Sequence, residues 1–131
     1  MAETGLQSWM RTLLSYVRSG DPDLTNRQMA LLLLVYLKPG PHTVRGLAKA
    51  LNVSKPVVTR ALNRLGALGY LRRQRDDADR RNIFVAPTRE GADFLEHFKS
   101  LIGSGGNGNG SGSGEKQQRQ QRAENRDLAH A

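Results

Sequence analysis

Apolar residues recur along this chain at the three- and four-residue spacing of helical faces, interrupted by one stretch that alternates like paired strands. The first face runs through Leu6, Trp9, Met10, Leu13, Leu14 and Val17, with Gln7, Ser8, Arg11, Thr12, Ser15 and Arg18 off it. Met1 to Gly5 lack a pattern and are expected to be disordered. Gly20-Asp21-Pro22-Asp23 reads as a turn, and Thr25 followed by Gln28 makes a capping box for the next helix. That helix, about Asn26 to Leu37, is apolar nearly all round yet much shorter than the roughly 20 residues that span a bilayer, so it is expected to be the central buried helix. Lys38-Pro39-Gly40-Pro41-His42 stops it, and the extended residues His42 to Val44 are suited to a short strand.

Two short helices follow. Val44, Leu47, Ala48 and Leu51 fall on one face of the first. Asn52-Val53-Ser54 breaks the pattern: Asn tolerates the left-handed conformation that ends a helix, and Ser54 can accept hydrogen bonds from the free amides of the next. The second runs from Lys55 to about Leu68 with Pro56 in its first turn. Its positions Val58, Ala61, Leu62, Leu65 and Leu68 are expected to face inward, which leaves Lys55, Thr59, Arg60, Asn63 and Arg64 opposite or flanking. After Gly69, residues Tyr70 to Arg75 and Asn82 to Pro87 read as two strands joined by the polar turn Asp76 to Arg81. Thr88 then caps a last helix, Glu90 suits its first turn, and Phe94, Leu95, Phe98, Leu101 and Ile102 form its stripe. Gly103 to Gly114 contain only Gly, Ser and Asn and read as a flexible linker with an r.m.s. reach of roughly 20 Å. Residues 115–131 are rich in Gln and Arg and too poor in apolar side chains to offset the entropy of ordering.

Charge changes the picture from fold to partner. The chain carries a net charge of +8, and its distribution is uneven. Thr43 to Tyr70 hold five Lys and Arg and no acid, and residues 71–87 hold five Arg against three Asp, so +7 of the +8 lies in 45 consecutive residues. A solvated helix face normally mixes both signs. An acid-free helix with short polar groups among its cations suits a polyanion whose base edges offer hydrogen bonds.

Other chemistry finds no support. The absence of cysteine excludes disulfides, thiolate metal sites and a cysteine nucleophile in this chain. His42, His97 and His130 lack metal-ligand spacing, and the arginines beside Asp76, Asp77 and Asp79 oppose a cation. No glycine-rich phosphate loop follows a strand, and no nucleophile stands at a recognisable spacing from a base. The protein is expected to be neither an enzyme nor a cofactor binder. With no leader-like segment and no spanning stretch, a cytoplasmic, membrane-independent protein is expected.

The residues Leu47-Ala48 with Leu51 and Val53-Ser54, the run Val58-Thr59-Arg60 with Leu62 and Leu65, Gly69-Tyr70-Leu71 with Arg73, and then Asp76, Asp79-Arg80-Arg81 and Thr88 with Gly91 closely resemble the MarR family of bacterial transcriptional regulators. The resemblance covers about Thr25 to Ile102. It implies a mainly α fold, a winged helix-turn-helix with a two-stranded β wing (71–87) flanked by N- and C-terminal helices. It also implies a sequence-specific regulator of transcription on double-stranded DNA, more often a repressor. The helix 54–68 would lie in the major groove, and Arg81, braced by Asp79, would enter the minor groove. The expected DNA-contacting set is Ser54, Lys55, Pro56, Val57, Thr59, Arg60, Asn63, Arg64, Arg73, Arg75, Asp79, Arg80 and Arg81.

Family members usually continue past the wing with two long helices that build a dimer, whereas here one helix leads into the Gly103 to Gly114 run. A homodimer is still expected, since Leu6, Trp9, Met10 and Leu13 on one terminal helix and Phe94, Phe98 and Leu101 on the other offer apolar surface that two chains can share. The alternative is that both stripes pack together within one chain. A small-molecule effector is compatible with the resemblance but has no support in these residues. The organisation expected is therefore a DNA-binding domain with dimerisation helices (1–102), a linker (103–114) and a tail (115–131). A second function class stays open: a winged helix whose basic surface docks an acidic protein in transcription or replication.

Overall fold

Capping and terminating residues set the elements of the computed structural model, which describes residues 3–106. In chain order these are α1 (Gly5–Ser19), α2 (Asn26–Leu37), β1 (His42–Thr43), α3 (Val44–Leu51), α4 (Lys55–Ala67), β2 (Leu71–Arg75), β3 (Ile83–Pro87) and α5 (Arg89–Gly106). Residues 24–92 form one compact unit, and 3–23 with 93–106 form another.

The 24–92 unit is a winged helix-turn-helix. Thr25 and Gln28 close the expected capping box at the start of α2. Leu31 and Leu32, with no exposed surface, and the buried Val35 form the centre of the unit. Against α2 pack α3, which buries Val44, Leu47 and Ala48, and α4, which buries Val58, Ala61, Leu62 and Leu65. The apolar envelope of α2 is not complete: Leu37, in its last turn, is 73% exposed.

Between α3 and α4, Asn52 takes the left-handed conformation (φ 55°). There the Val53 amide donates to the Ala48 carbonyl (3.0 Å) and the Asn52 amide to the Lys49 carbonyl (3.2 Å), the paired bonds of a Schellman ending. The same motif ends α4: Gly69 is left-handed (φ 80°), its amide donates to Gly66 (3.0 Å), and the Tyr70 amide donates to Leu65 (2.9 Å). The chain therefore enters β2 in a fixed direction.

The sheet has three strands rather than the two of the wing alone, in the order β1-β3-β2 and antiparallel throughout. His42 lies opposite Val85 and Thr43 opposite Phe84, while Leu71 to Arg75 run against Pro87 to Ile83. Only Leu71 and Val85 are buried in the ribbon, so β3 is held to the body by β1 while the outer half of the hairpin projects.

The other unit departs from expectation at both of its helices. α1 begins at Gly5 behind a Thr4 cap, with the Thr4 hydroxyl accepting from the Gln7 amide and the Gln7 side chain accepting from the Thr4 amide. Glu3 pairs with Arg11 at 2.6 Å. This is the signature recognised at Thr25, and it orders residues expected to be disordered. The buried residues of α1 are Thr12 and Tyr16, not the apolar stripe. Thr12 satisfies its hydroxyl locally on the Ser8 carbonyl (3.0 Å), which leaves its methyl free to pack, and Tyr16 donates to the Pro22 carbonyl.

The Tyr16 ring lies edge-on to Phe98 (centroids 5.4 Å apart) and to Phe94 (6.1 Å). Phe94 and Phe98, expected to face a second chain, are thus buried on Tyr16 of their own. Leu101 is half-buried and Ile102 exposed. Leu6, Trp9, Met10, Leu13, Leu14 and Val17 all lie outward, from 40% exposed at Leu13 to 80% at Leu6. His97 meets Asp21 at 2.9 Å. Helix α5 continues to Gly106, past the expected start of the linker at Gly103. The remainder of the Gly-rich stretch and the tail 115–131 lie outside the described residues.

The turn chemistry yields a prediction. Asn52→Ala should lower the urea-unfolding free energy by about 1 kcal/mol, because a Cβ-bearing residue without a compensating side-chain hydrogen bond is strained there; Asn52→Gly should stay within about 0.5 kcal/mol of the parent.

Candidate nucleic-acid interface

The interface is built by what α4 cannot show to solvent. Ser54 caps the helix, its hydroxyl accepting from the Val57 amide (3.4 Å), and Pro56 occupies the first turn. Once Val58, Ala61, Leu62 and Leu65 are buried, the exposed residues of α4 are Lys55, Pro56, Thr59, Arg60, Asn63 and Arg64, with Gly66 and Ala67 at its end and Val57 half-buried at its edge. Each expected major-groove residue is on that side or at its edge. Thr59 and Asn63 lie four residues apart, one helical turn, and so share a line along the helix.

The ribbon continues this surface. Arg72, Arg73, Gln74 and Arg75 are exposed along β2. The hairpin closes where the Asp76 amide donates to the Asn82 carbonyl (3.0 Å). Inside the turn, Asp76 accepts from the Ala78 amide (2.9 Å) and Asp79 from the Arg81 amide (3.1 Å), two side-chain-to-backbone bonds that fold the tip. Asp79 also accepts from Arg81 Nε at 3.2 Å. The Arg81 side chain nevertheless remains 86% exposed. Asp79 therefore holds the neck of the arginine and leaves its terminal donors free. Among the described residues, Lys55, Arg60, Arg64, Arg72, Arg73, Arg75 and Arg80 form no ion pair, so these cations are free for an external anion.

Sequence reasoning missed what ties helix and ribbon together. The Tyr36 hydroxyl on α2 lies 2.7 Å from the Tyr70 carbonyl and 2.9 Å from the Thr88 carbonyl, and it accepts from the Thr88 amide at 3.0 Å. Burial, assisted by the nearby Glu90 charge, raises the Tyr36 phenol above its ordinary pKa against the opposing effect of the Thr88 hydrogen bonds, so it keeps its proton. The Thr88 hydroxyl donates to the Gly69 carbonyl and accepts from the Gly91 amide (3.0 Å). The available signals were a Tyr within the otherwise apolar run Met29 to Leu37 and the Thr and Gly of the family pattern.

No group of three or more His, Cys, Asp or Glu among the described residues is placed to hold a metal ion. His42 contacts the Lys38 carbonyl (2.9 Å) and His97 contacts Asp21. No helix among the described residues is long and apolar enough to cross a membrane.

Comparison with known proteins places this geometry. The model of the MarR family matches residues 23–82. The Escherichia coli transcriptional regulator HosA is 38% identical over 74 residues, which is 56% of this chain and 54% of HosA; the chain thus spans about half the length of the curated relatives it matches. The transcriptional regulator Tm0710 of Thermotoga maritima is 32% identical at a TM-score of 0.62, over 73% of this chain and 67% of that one. A single-residue mutant of S. aureus MepR is 25% identical at a TM-score of 0.63, over 76% of this chain and 72% of that one.

Proposed function

The chain belongs to the MarR family, and from that premise we propose that it is a sequence-specific duplex-DNA-binding regulator of transcription that works as a homodimeric repressor. In this reading α4 lies in the major groove, where Thr59 and Asn63 meet base edges and Lys55, Arg60 and Arg64 meet bases or phosphates. The wing lies along the backbone with Arg72, Arg73, Arg75 and Arg80, and Arg81 reaches into the minor groove. The observation that carries it is the acid-free exposed side of α4 beside an unpaired row of arginines. A helix displaying both polar hydrogen-bonding groups and uncompensated cations fits the division of DNA contacts into those that specify and those that position. The regulators HosA and Tm0710, as their names describe them, support the same class.

The homodimer is supported by the outward side of α1. Six large apolar side chains in one contiguous stripe form a patch of the kind that marks an interface rather than scattered surface residues. A second copy presenting the same stripe across a two-fold axis covers both. Each large side chain fully buried there contributes roughly 1.5 to 3 kcal/mol.

Three outcomes are expected. With roughly four to six phosphates neutralised per subunit, log K should fall against log salt with a slope of about −4 to −5 per subunit; an affinity indifferent to salt contradicts the DNA reading. Thr59→Ala or Asn63→Ala should shift competition between duplexes differing at one base pair by roughly 1 to 3 kcal/mol, while Arg72→Ala or Arg73→Ala weakens binding to all duplexes alike. Sedimentation at micromolar concentration should give a species of twice 14.5 kDa, and Leu13→Glu should dissociate it while the monomer stays folded. Phe98 is unsuitable for that test, since its ring is part of the intrachain cluster with Tyr16.

A further inference from the structure

We propose that the Tyr36 hydroxyl, with Thr88 and Gly91, is a positioning device that fixes the angle of the wing relative to α4, and that Tyr36 thereby governs the wing's share of DNA binding without touching DNA. The inference rests on the wing contact proposed above. The hairpin leaves the body at Tyr70 and returns at Thr88, and both points bond to one phenol oxygen on the buried helix α2. Thr88 extends the junction to the terminus of α4 through the Gly69 carbonyl and to the first turn of α5 through the Gly91 amide. The fit leaves no room for a side chain at position 91: a Cβ on Gly91 would lie 1.9 Å from the Tyr36 hydroxyl and 2.3 Å from the Tyr70 carbonyl.

Leverage makes this junction matter. Beyond Leu71 every residue of β2 is exposed, and β3 is held by β1 only at Phe84 and Val85, so the junction at the base and that short pairing together set where the tip goes. From Tyr70 to Asp76 the strand extends about 20 Å, and a rotation of about 5° at the base moves its far end about 2 Å. That displacement exceeds the tolerance of a hydrogen bond, so an arginine at the tip either meets its groove or misses it. A residue serving stability alone would weaken every DNA contact equally on substitution; a positioning residue uncouples the wing from the helix.

The test uses Tyr36→Phe, which keeps the ring and removes the oxygen, with Thr88→Val and Thr88→Ser as a second pair. The chain has no cysteine, so spin labels attached through K49C on α3 and A78C at the wing tip report one distance when labelled protein is diluted with unlabelled. Tyr36→Phe and Thr88→Val should broaden or shift that distance distribution, and Thr88→Ser should restore it; an unchanged distribution in folded Tyr36→Phe overturns the proposal. On a short duplex recovered by selection with the parent protein, Arg81→Ala should weaken binding roughly tenfold in the parent and less than twofold beside Tyr36→Phe. Asn63→Ala should cost the same in both. Equal losses for Arg81→Ala in the two backgrounds overturn the positioning role. If Arg81→Ala costs nothing even in the parent, the wing contact is wrong, and the label distances alone decide whether Tyr36 sets the wing.

Discussion

A helix has two sides, and burying one decides what the other presents. Val58, Leu62 and Leu65 of α4 have almost no exposed surface and pack toward α2, itself anchored by Leu31 and Leu32. Rotating α4 about its axis would draw these side chains into water, each at a cost of roughly 1.5 to 3 kcal/mol, so the outward orientation of Thr59, Arg60, Asn63 and Arg64 is set by the core rather than by whatever they meet. The helix ends reinforce this. Asn52 fixes the approach to α4 and Gly69 fixes the departure, and because the hairpin follows at once from Tyr70, one turn of chain carries the orientation of α4 into the wing.

The two compact units carry different tasks. Residues 24–92 hold every side chain proposed to meet DNA, and of the cations among these only Arg81 forms an ion pair among the described residues. Residues 3–23 and 93–106 hold a small aromatic cluster of Tyr16, Phe94 and Phe98 and an apolar stripe outside it. The first surface is matched to a polyanion and the second to another apolar surface. A dimeric regulator needs both, and the proposed function assigns one to each.

Much of the 24–92 unit was legible because its signals are local. Capping at Thr25 and Ser54, the stop at Asn52, the inward spacing of Val58 to Leu65 and the alternation of the hairpin all depend on residues within a few positions of one another. Side chains bonded across the fold were not legible. Tyr36 counts as one apolar residue among nine in its helix until its oxygen is seen to bond backbone 34 and 52 residues away. Helix α1 shows a different limit. Periodicity revealed an apolar face but not which surface covers it, and the inward side went instead to Thr12, whose hydroxyl is satisfied within its own helix, and to Tyr16. The start of α1 is readable from Thr4 and Gln7 by the rule applied at Thr25 and Gln28, but no apolar residue between Ala2 and Leu6 marks a helix there.

The central claim, that the outward side of α4 with its wing reads duplex sequence, is tested most directly by selecting bound duplexes from a random pool with the full chain and sequencing what is retained. The account predicts a recurring motif made of two inverted half-sites with centres about one helical turn, roughly 10 base pairs, apart. Retention without any recurring motif would contradict it, and would favour a basic surface that docks an acidic protein instead.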